Sequence, residues 1–339
     1  MRFETEIKIE AFVRPATMSD ASAVVDVFNA CSLETLGRPE YTVGEIEKDW
    51  QVPGFDLATD TQTVVTADNR LVGYGDLWGS SLTFVQFRSW VRVHPEFRGQ
   101  GIGTYLNRWV EARARERLGK APEGARVVLR TTAPAKDSAA GMLLHDRGMA
   151  EVRHSWQMEM ALDKDPPAPK WPEGVSVRTR RDGDEREIYQ VRCAAFKGHW
   201  GIADEPFEEG LAKWRHIMER DPYYDPSLWF LAEQEEQIVG FSICTPETSE
   251  DPNMGWIHLL GVVQPWRRRG LGLALLLHSL RAFFRRGIER AGLAVDAESV
   301  TGATRLYEKA GMHVAHEYVT FEKELRPGED ASTQPVKTS

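Results

Sequence analysis

Cysteine is nearly absent. Cys31, Cys193 and Cys244 are far apart, three thiols cannot all pair, and none sits in a CxxC or Cys/His spacing. A disulfide scaffold and a structural zinc site are excluded on that pattern, and a reducing cytoplasm is the expected compartment. No metal is expected. Long apolar runs are missing too. No uninterrupted stretch reaches the ~18 residues that a spanning helix needs, so no membrane association is expected. The opening MRFETEIKIEAFVRP is charged throughout and has no apolar centre of the kind a signal peptide carries. Positive charge is in deficit, 42 Lys+Arg against 51 Asp+Glu, so nucleic acid is not an expected partner.

What is present is material for large cores. The 339 residues include 11 Trp and 14 Phe, with 42% hydrophobic and 27% charged residues. That is globular composition, and at ~150 residues per domain the chain should hold about two domains.

The sequence repeats itself. VRVHPEFRGQGIGTYLNRWVEARA recurs loosely as LGVVQPWRRRGLGLALLLHSLRAFF. Arg98 recurs as Arg267, Gly73 as Gly240, Arg14 as Arg178 and Gly148-Met149 as Gly311-Met312, always in the same order. The period is too long for a solenoid unit, so these are two copies of a whole domain. Between them lies DKDPPAPKWPEG, residues 163–174, whose four prolines predict a stiff extended linker. The expected layout is a first domain over 1–162, the linker, a second domain over 175–325, and a disordered polar tail over 326–339.

Each copy reads as α/β. In the second, VSVRTR predicts a strand and DEREIYQVRCAAF a helix. LWFLAEQEEQIVGFSIC and WIHLLGVV predict strands rich in β-branched and aromatic residues. Leu271, Leu275, Leu276, Leu280 and Phe283 then recur at helical spacing. LAVDAE, GATRLYEKA and HVAHEYVTFEKEL predict strand, helix and a closing strand. The expectation is a mixed sheet flanked by helices in each domain.

The chemical signal is a strand, then Arg-x-x-Gly-x-Gly, then a helix. It stands as Arg98-Gly99-Gln100-Gly101-Ile102-Gly103 and again as Arg267-Arg268-Arg269-Gly270-Leu271-Gly272. Glycine lets backbone N–H groups approach a ligand without a Cβ in the way. The following helix N-terminus offers unpaired N–H groups and partial positive charge, and the arginines add more. A pyrophosphate is the natural guest. A Walker loop is excluded by the missing Gly-Lys-Ser/Thr, and a Rossmann fingerprint by spacing and by the mid-domain position.

On this turn and on LYEKAGM downstream, both halves resemble the GNAT (Gcn5-related N-acetyltransferase) superfamily, over about residues 11–162 and 175–325. The resemblance implies two tandem GNAT-like domains, each with a mixed, mostly antiparallel sheet. It also implies acetyl-CoA as donor, its pyrophosphate on the turn, and an amine of a small molecule as acceptor. The tandem arrangement, with FKGHWG in the second copy, is similar to the mycothiol synthase branch, which acts on a cysteinyl aminosugar. A non-catalytic acyl-CoA sensor is the reading from another class.

The family's general acid, a tyrosine on the helix after the fifth strand, falls on Tyr307. A phenol of pKa ~10 can hydrogen-bond a departing thiolate whose thiol pKa is ~8.5. In the first copy Leu144 stands there and cannot donate a proton, so catalysis is expected in the second copy alone. An asparagine common before the tyrosine is replaced by Ser299 or Val300. The oxyanion donor of the family is a backbone N–H on a bulged fourth strand, which falls around Leu260–Val262, with Gly261 easing the bulge. The mycothiol branch's strand glutamate is matched by Trp256. His258, two residues on and on the same strand face, and Glu298, at the end of the next strand, are the candidate bases, with Asp296 as a lesser option and a water chain as another route. The loop Phe196–Phe207, with Lys197, His199, Trp200, Asp204 and Glu205, is the expected acceptor determinant.

Overall fold

The computed structural model describes residues 7–79, 84–200, 206–219, 221–249, 251–299 and 302–330. They form two compact units, one of residues 7–154 with 318–330, the other of residues 155–317.

In the second unit the β-rich segments pair in chain order. Strands β9 (Ser176–Thr179), β10 (Trp229–Gln234), β11 (Gln237–Thr245) and β12 (Met254–Val262) run antiparallel, and β12 then pairs in parallel with β13 (Arg290–Asp296). The hairpin between β10 and β11 turns through Glu235 and Glu236, both at positive φ (50° and 64°), the twist that a two-residue hairpin demands. Helix α8 (Leu271–Arg285) buries Leu271, Leu275, Leu276, Leu280 and Phe283, the apolar stripe read from the sequence. It can lie close because the sheet is bare beneath it. A Cβ at Gly255 would stand 2.8 Å from the Phe283 ring, and one at Gly240 would stand 3.1 Å from Leu275 Cδ1. Helices α6 (Glu185–Phe196) and α7 (Phe207–Glu219) cover the opposite face with Ile188, Tyr189, Leu211 and Trp214. The segment 163–174 has no helix or strand, but it is docked. Trp171 packs on the α8 core and meets the His278 ring edge-on at 5.6 Å.

The first unit repeats the plan. Strands β1 (Ala11–Arg14), β2 (Thr61–Thr66), β3 (Leu71–Asp76) and β6 (Val91–Val93) form one antiparallel sheet. A second sheet joins β4 (Trp78–Gly79), β5 (Gln86–Ser89) and β7 (Val127–Pro134), with β5 and β7 parallel. Helices α1 (Ala21–Leu36), α2 (Val43–Trp50), the short α3 (Leu57–Asp60), α4 (Ile102–Glu116) and α5 (Ser138–Asp146) flank them.

The closing strands are exchanged between the repeats. Strand β8 (Ala150–Ala161), which ends the first repeat in sequence, lays residues 155–161 antiparallel on β13. Strand β14 (His313–Arg326), which ends the second, lays residues 318–326 on β7. Charge holds β14 there. Arg130 and Glu322, both buried, pair at 2.7 Å, Arg126 reaches Glu322 at 2.7 Å, and Lys323 reaches Glu111 at 2.8 Å. Breaking a buried pair from one side leaves an uncompensated charge, at a cost of roughly 3–5 kcal/mol. Compact units and sequence repeats therefore differ by one strand each. The last nine residues of the tail lie outside the described residues.

Candidate functional site

In the second repeat, the site begins where two strands part. The parallel pairing of β12 with β13 runs from Met254–Arg290 to Ile257–Leu293 and stops. Beyond it β12 continues along β11 and β13 along β8, so the strands diverge into a V-shaped slot. Their facing backbone groups past Ile257 and Leu293 have no strand partner across the gap among the described residues.

The glycine turn stands at the head of this slot. Gly270 caps α8 at φ 86°, with nothing among the described residues within 4 Å of where its Cβ would be. Its left-handed backbone and the open space above it leave the first N–H groups of α8 bare. The three arginines divide their work. Arg267 donates through Nε to the Val262 carbonyl at 3.1 Å and through Nη2 to the Ala195 carbonyl at 2.6 Å, tying the turn to β12 and α6. Arg269 lies over the Trp266 ring at 4.8 Å. Arg268 holds φ 61°, where the first repeat has Gly99 at 76°. Leu271, the first residue of α8, is buried in the core, so its backbone is what it can offer. Leu260 and Val262 also send their side chains to the α8 core, which leaves their backbone as what they can offer.

Tyr307 is carried beside the turn by α9 (Ala303–Lys309). Gly272 makes this possible: a Cβ there would meet Leu306 Cδ1 at 3.2 Å and Val262 Cγ2 at 3.8 Å. Tyr307 packs in the same core as Leu271 and Leu275 and is 7% exposed. Burial pushes its hydroxyl up to about 12. Such a phenol stays protonated at any ordinary pH and is a donor.

The bulge sits elsewhere than expected. The register of β12 on β11 shifts between Ile243 and Cys244, which makes His258 the extra residue. Gly261 serves a different purpose, since a Cβ there would stand 2.5 Å from the Phe241 ring. Ile257 and Leu260 face α8 while Leu259 packs towards α6, so the bulge places His258 and Leu259 together on the α6 side. His258 is exposed, one residue past the last β12–β13 pair, at the point of the V. Trp256 stands on the same side. Its ring lies over Gly292 of β13, where a Cβ would come within 2.5 Å of it. Glu298 lies in the turn after β13 rather than on the strand, exposed, with its N–H on Asp296 Oδ1 at 3.0 Å. His199 is half-buried. Burial and the nearby Arg267 lower its pKa, and Asp296 opposes them. Asp204, Glu205 and Val300 lie outside the described residues.

The first repeat holds a cavity of about 620 Å³ in the same place. Val91, Val93, Thr131 and Ala133 wall it, and Arg98, Gly99, Gly101 and Gly103 stand at its head. Gly99 and Gly101 hold φ 76° and 80°. Arg98 pairs with Glu34 at 2.5 Å and Asp137 at 3.5 Å. Where Arg267 bridges two carbonyls, the Cys31 thiol donates to the Val93 carbonyl at 3.2 Å. Leu144, opposite Tyr307 in the repeat, lines this cavity and is buried. Sequence reasoning missed the cavity's Thr131, Thr132 and Asn107, and Thr245 of the second repeat. None belongs to a local motif.

Comparison with known proteins agrees with this geometry. The acetyltransferase (GNAT) family model matches residues 186–312, and a GNAT domain model matches residues 59–142. A mycothiol acetyltransferase of Thermobispora bispora is 34% identical over 65% of this chain and 70% of its own. That of Streptomyces coelicolor is 34% identical over 73% and 74%. A crystal structure of a GCN5-related N-acetyltransferase from Sphaerobacter thermophilus superposes with TM-score 0.81 at 38% identity, covering 96% of this chain and 98% of that one. A tandem GNAT protein from the clavulanic acid pathway shares the fold, with TM-score 0.71 at 17% identity over 94% and 100%. A slot between splayed parallel strands, a bare glycine turn at its head and a buried tyrosine beside it occur on a fold that the chain carries twice, and the chain belongs to the GNAT acetyltransferase family as a tandem member and is an acyltransferase.

Proposed function

We propose that the second repeat transfers an acetyl group from acetyl-CoA to an amine of a small molecule by direct attack. The observation that carries this reading is the junction of three features: the open Gly270 turn, the slot between β12 and β13, and the Tyr307 hydroxyl. The turn's N–H groups take the pyrophosphate. The pantetheine arm runs down the slot towards His258. The amine loses its proton to His258 and attacks the thioester carbon. The oxyanion is held by backbone N–H groups of β12 around Leu260–Val262. As the C–S bond breaks, Tyr307 gives its proton to the sulfur, and it is reprotonated from solvent. Glu298 is a lesser base, and no metal enters the scheme. No helix among the described residues is long and apolar enough to cross a membrane.

The first repeat binds the same donor without turnover in this reading, since Leu144 lines its cavity where an acid is needed. A cysteinyl aminosugar is the second acceptor reading, favoured by the relatives' names. Trp256 in place of a strand carboxylate argues for a different base, not against that acceptor. Release of free thiol from acetyl-CoA across amines, aminoglycosides and a cysteinyl aminosugar tests the proposal. Binding of acetyl-CoA with no thiol release from any of them supports the sensor instead.

A further inference from the structure

The two repeats differ at one position of the strand that walls their slots. Counted from the arginine that leads each turn, Arg92 of the first repeat stands where the second has Gly261. Gly261 brings no side chain there, and the Phe241 ring takes the space. Arg92 brings a charge, and the backbone around it shows where. Trp90 donates its N–H to Asp76 Oδ1 at 2.8 Å and accepts the Asp76 N–H at its carbonyl at 3.1 Å. Both backbone groups of Trp90 therefore face β3. Backbone groups alternate in direction along a strand, so those of Val91 face the other edge, into the gap between β6 and β7. Arg92 Nη1 donates to that Val91 carbonyl at 3.0 Å. The guanidinium thus stands at the gap, held over the Trp90 ring at 5.5 Å and the Phe28 ring at 5.6 Å. The parallel pairing of β5 with β7 ends at Ser89–Thr131, one residue before Trp90, so this is the inner end of the slot, away from the glycine turn.

A guanidinium has five N–H donors and no acceptor. Among the described residues Arg92 gives one of them to Val91 and pairs with no carboxylate. Glu34 and Asp137 are committed to Arg98 instead. Arg92 also lines the cavity of about 620 Å³. A cation in such a wall is matched best by a carboxylate, which a guanidinium can take through two parallel N–H···O bonds. We propose that the first repeat selects a CoA thioester whose acyl group ends in a carboxylate, the half-thioester of a short dicarboxylic acid, and that Arg92 reads that carboxylate. The inference rests on the reading that the first repeat binds acyl-CoA without turnover, and it narrows that reading: acetyl-CoA enters, and the dicarboxylic half-thioester is preferred. With the pyrophosphate on the 98–103 turn and the pantetheine arm between β6 and β7, the acyl end arrives beside Arg92. In the second repeat Gly261 brings no charge to the same place, so the two sites differ in the acyl group they favour.

The test is calorimetry on the full chain with acetyl-CoA, butyryl-CoA and succinyl-CoA. The last two share one acyl chain length and differ in the carboxylate. Wild type should show a site that binds succinyl-CoA about tenfold more tightly than butyryl-CoA. Arg92→Gln should bring that ratio to about one, and Arg92→Lys should keep part of the preference. A crystal of the wild-type complex should place the carboxylate on the Arg92 guanidinium at about 2.9 Å, and it decides the matter even if Arg92→Gln does not fold. Absence of any succinyl preference in wild type overturns the inference. So does a preference that Arg92→Gln leaves in place, or a carboxylate seated elsewhere in that crystal. Two coenzymes bound per chain with equal acyl affinities sink this inference alone. One coenzyme per chain, seated in the second repeat and indifferent to Arg92→Gln, overturns the reading beneath it, so the two failures are distinguishable.

Discussion

Gly272 and Leu306 are fitted to each other: a Cβ on the glycine would stand 3.2 Å from Leu306 Cδ1, and Leu306 is the residue before Tyr307. The first repeat has the same relation, with Gly103 and Leu143 at 2.8 Å and Leu144 next in line. The second glycine of the motif therefore sets how near the glycine turn lies to the helix that carries Tyr307 in the second repeat and Leu144 in the first.

Adding a methyl group tests that fit. Gly103→Ala should destabilise the chain by about 1–3 kcal/mol, the usual range for overpacking, and Gly272→Ala by less, because its neighbour must give only a few tenths of an ångström. Urea unfolding curves of the two variants check the order. Equal stability of both with wild type would show that the helices do not press on these glycines.

Arg268 occupies a left-handed backbone at φ 61° where Gly99 stands in the first repeat. A β-branched residue is least tolerant of that conformation. Arg268→Val should be less stable than Arg268→Gly by about 1–2 kcal/mol. Thermal midpoints of the pair measure the difference, and identical midpoints would contradict the conformation assigned to the turn.

Asp76 is a buried carboxylic acid in the first repeat. Burial raises its pKa to about 7, opposed by hydrogen bonds from Trp78, the Trp90 N–H at 2.8 Å and the Tyr74 hydroxyl at 3.3 Å. A carboxyl raised in the folded state holds its proton there after the unfolded chain has released its own. Its contribution is thus fully present below about pH 4 and is lost as pH rises through about 7. Asp76→Asn removes that dependence, so its stability relative to wild type should improve by roughly 3 kcal/mol between pH 4 and pH 8. Denaturant midpoints at the two pH values decide it, and a constant difference between variant and wild type would sink the assignment.

The turns and the α8 stripe were readable because each is local: glycine at a forced φ and leucines at helical spacing depend only on their neighbours in the chain. The repeat was readable because those local signals recur in the same order, and Tyr307 became a candidate only through the family resemblance. The exchange of β8 and β14 was not readable. HVAHEYVTFEKEL patterns a strand equally well whichever sheet it joins, and its partner is chosen by Arg126, Arg130 and Glu111, some two hundred residues away. The family resemblance placed the bulge around Leu260–Val262, where Gly261 would ease it. The glycine instead makes room for Phe241, and His258 takes the extra position with no mark in its own sequence. Thr245 was invisible for the same reason, since its contact is with His258 Nε2 on the next strand, thirteen residues on.

The most direct test of the account is Tyr307→Phe, which removes one oxygen from a buried ring and leaves its packing intact. Thiol release from acetyl-CoA should fall about 10²–10⁴-fold in kcat, while calorimetry shows acetyl-CoA bound as in wild type. Unchanged turnover in this variant would contradict the assignment of the second repeat's tyrosine as the acid.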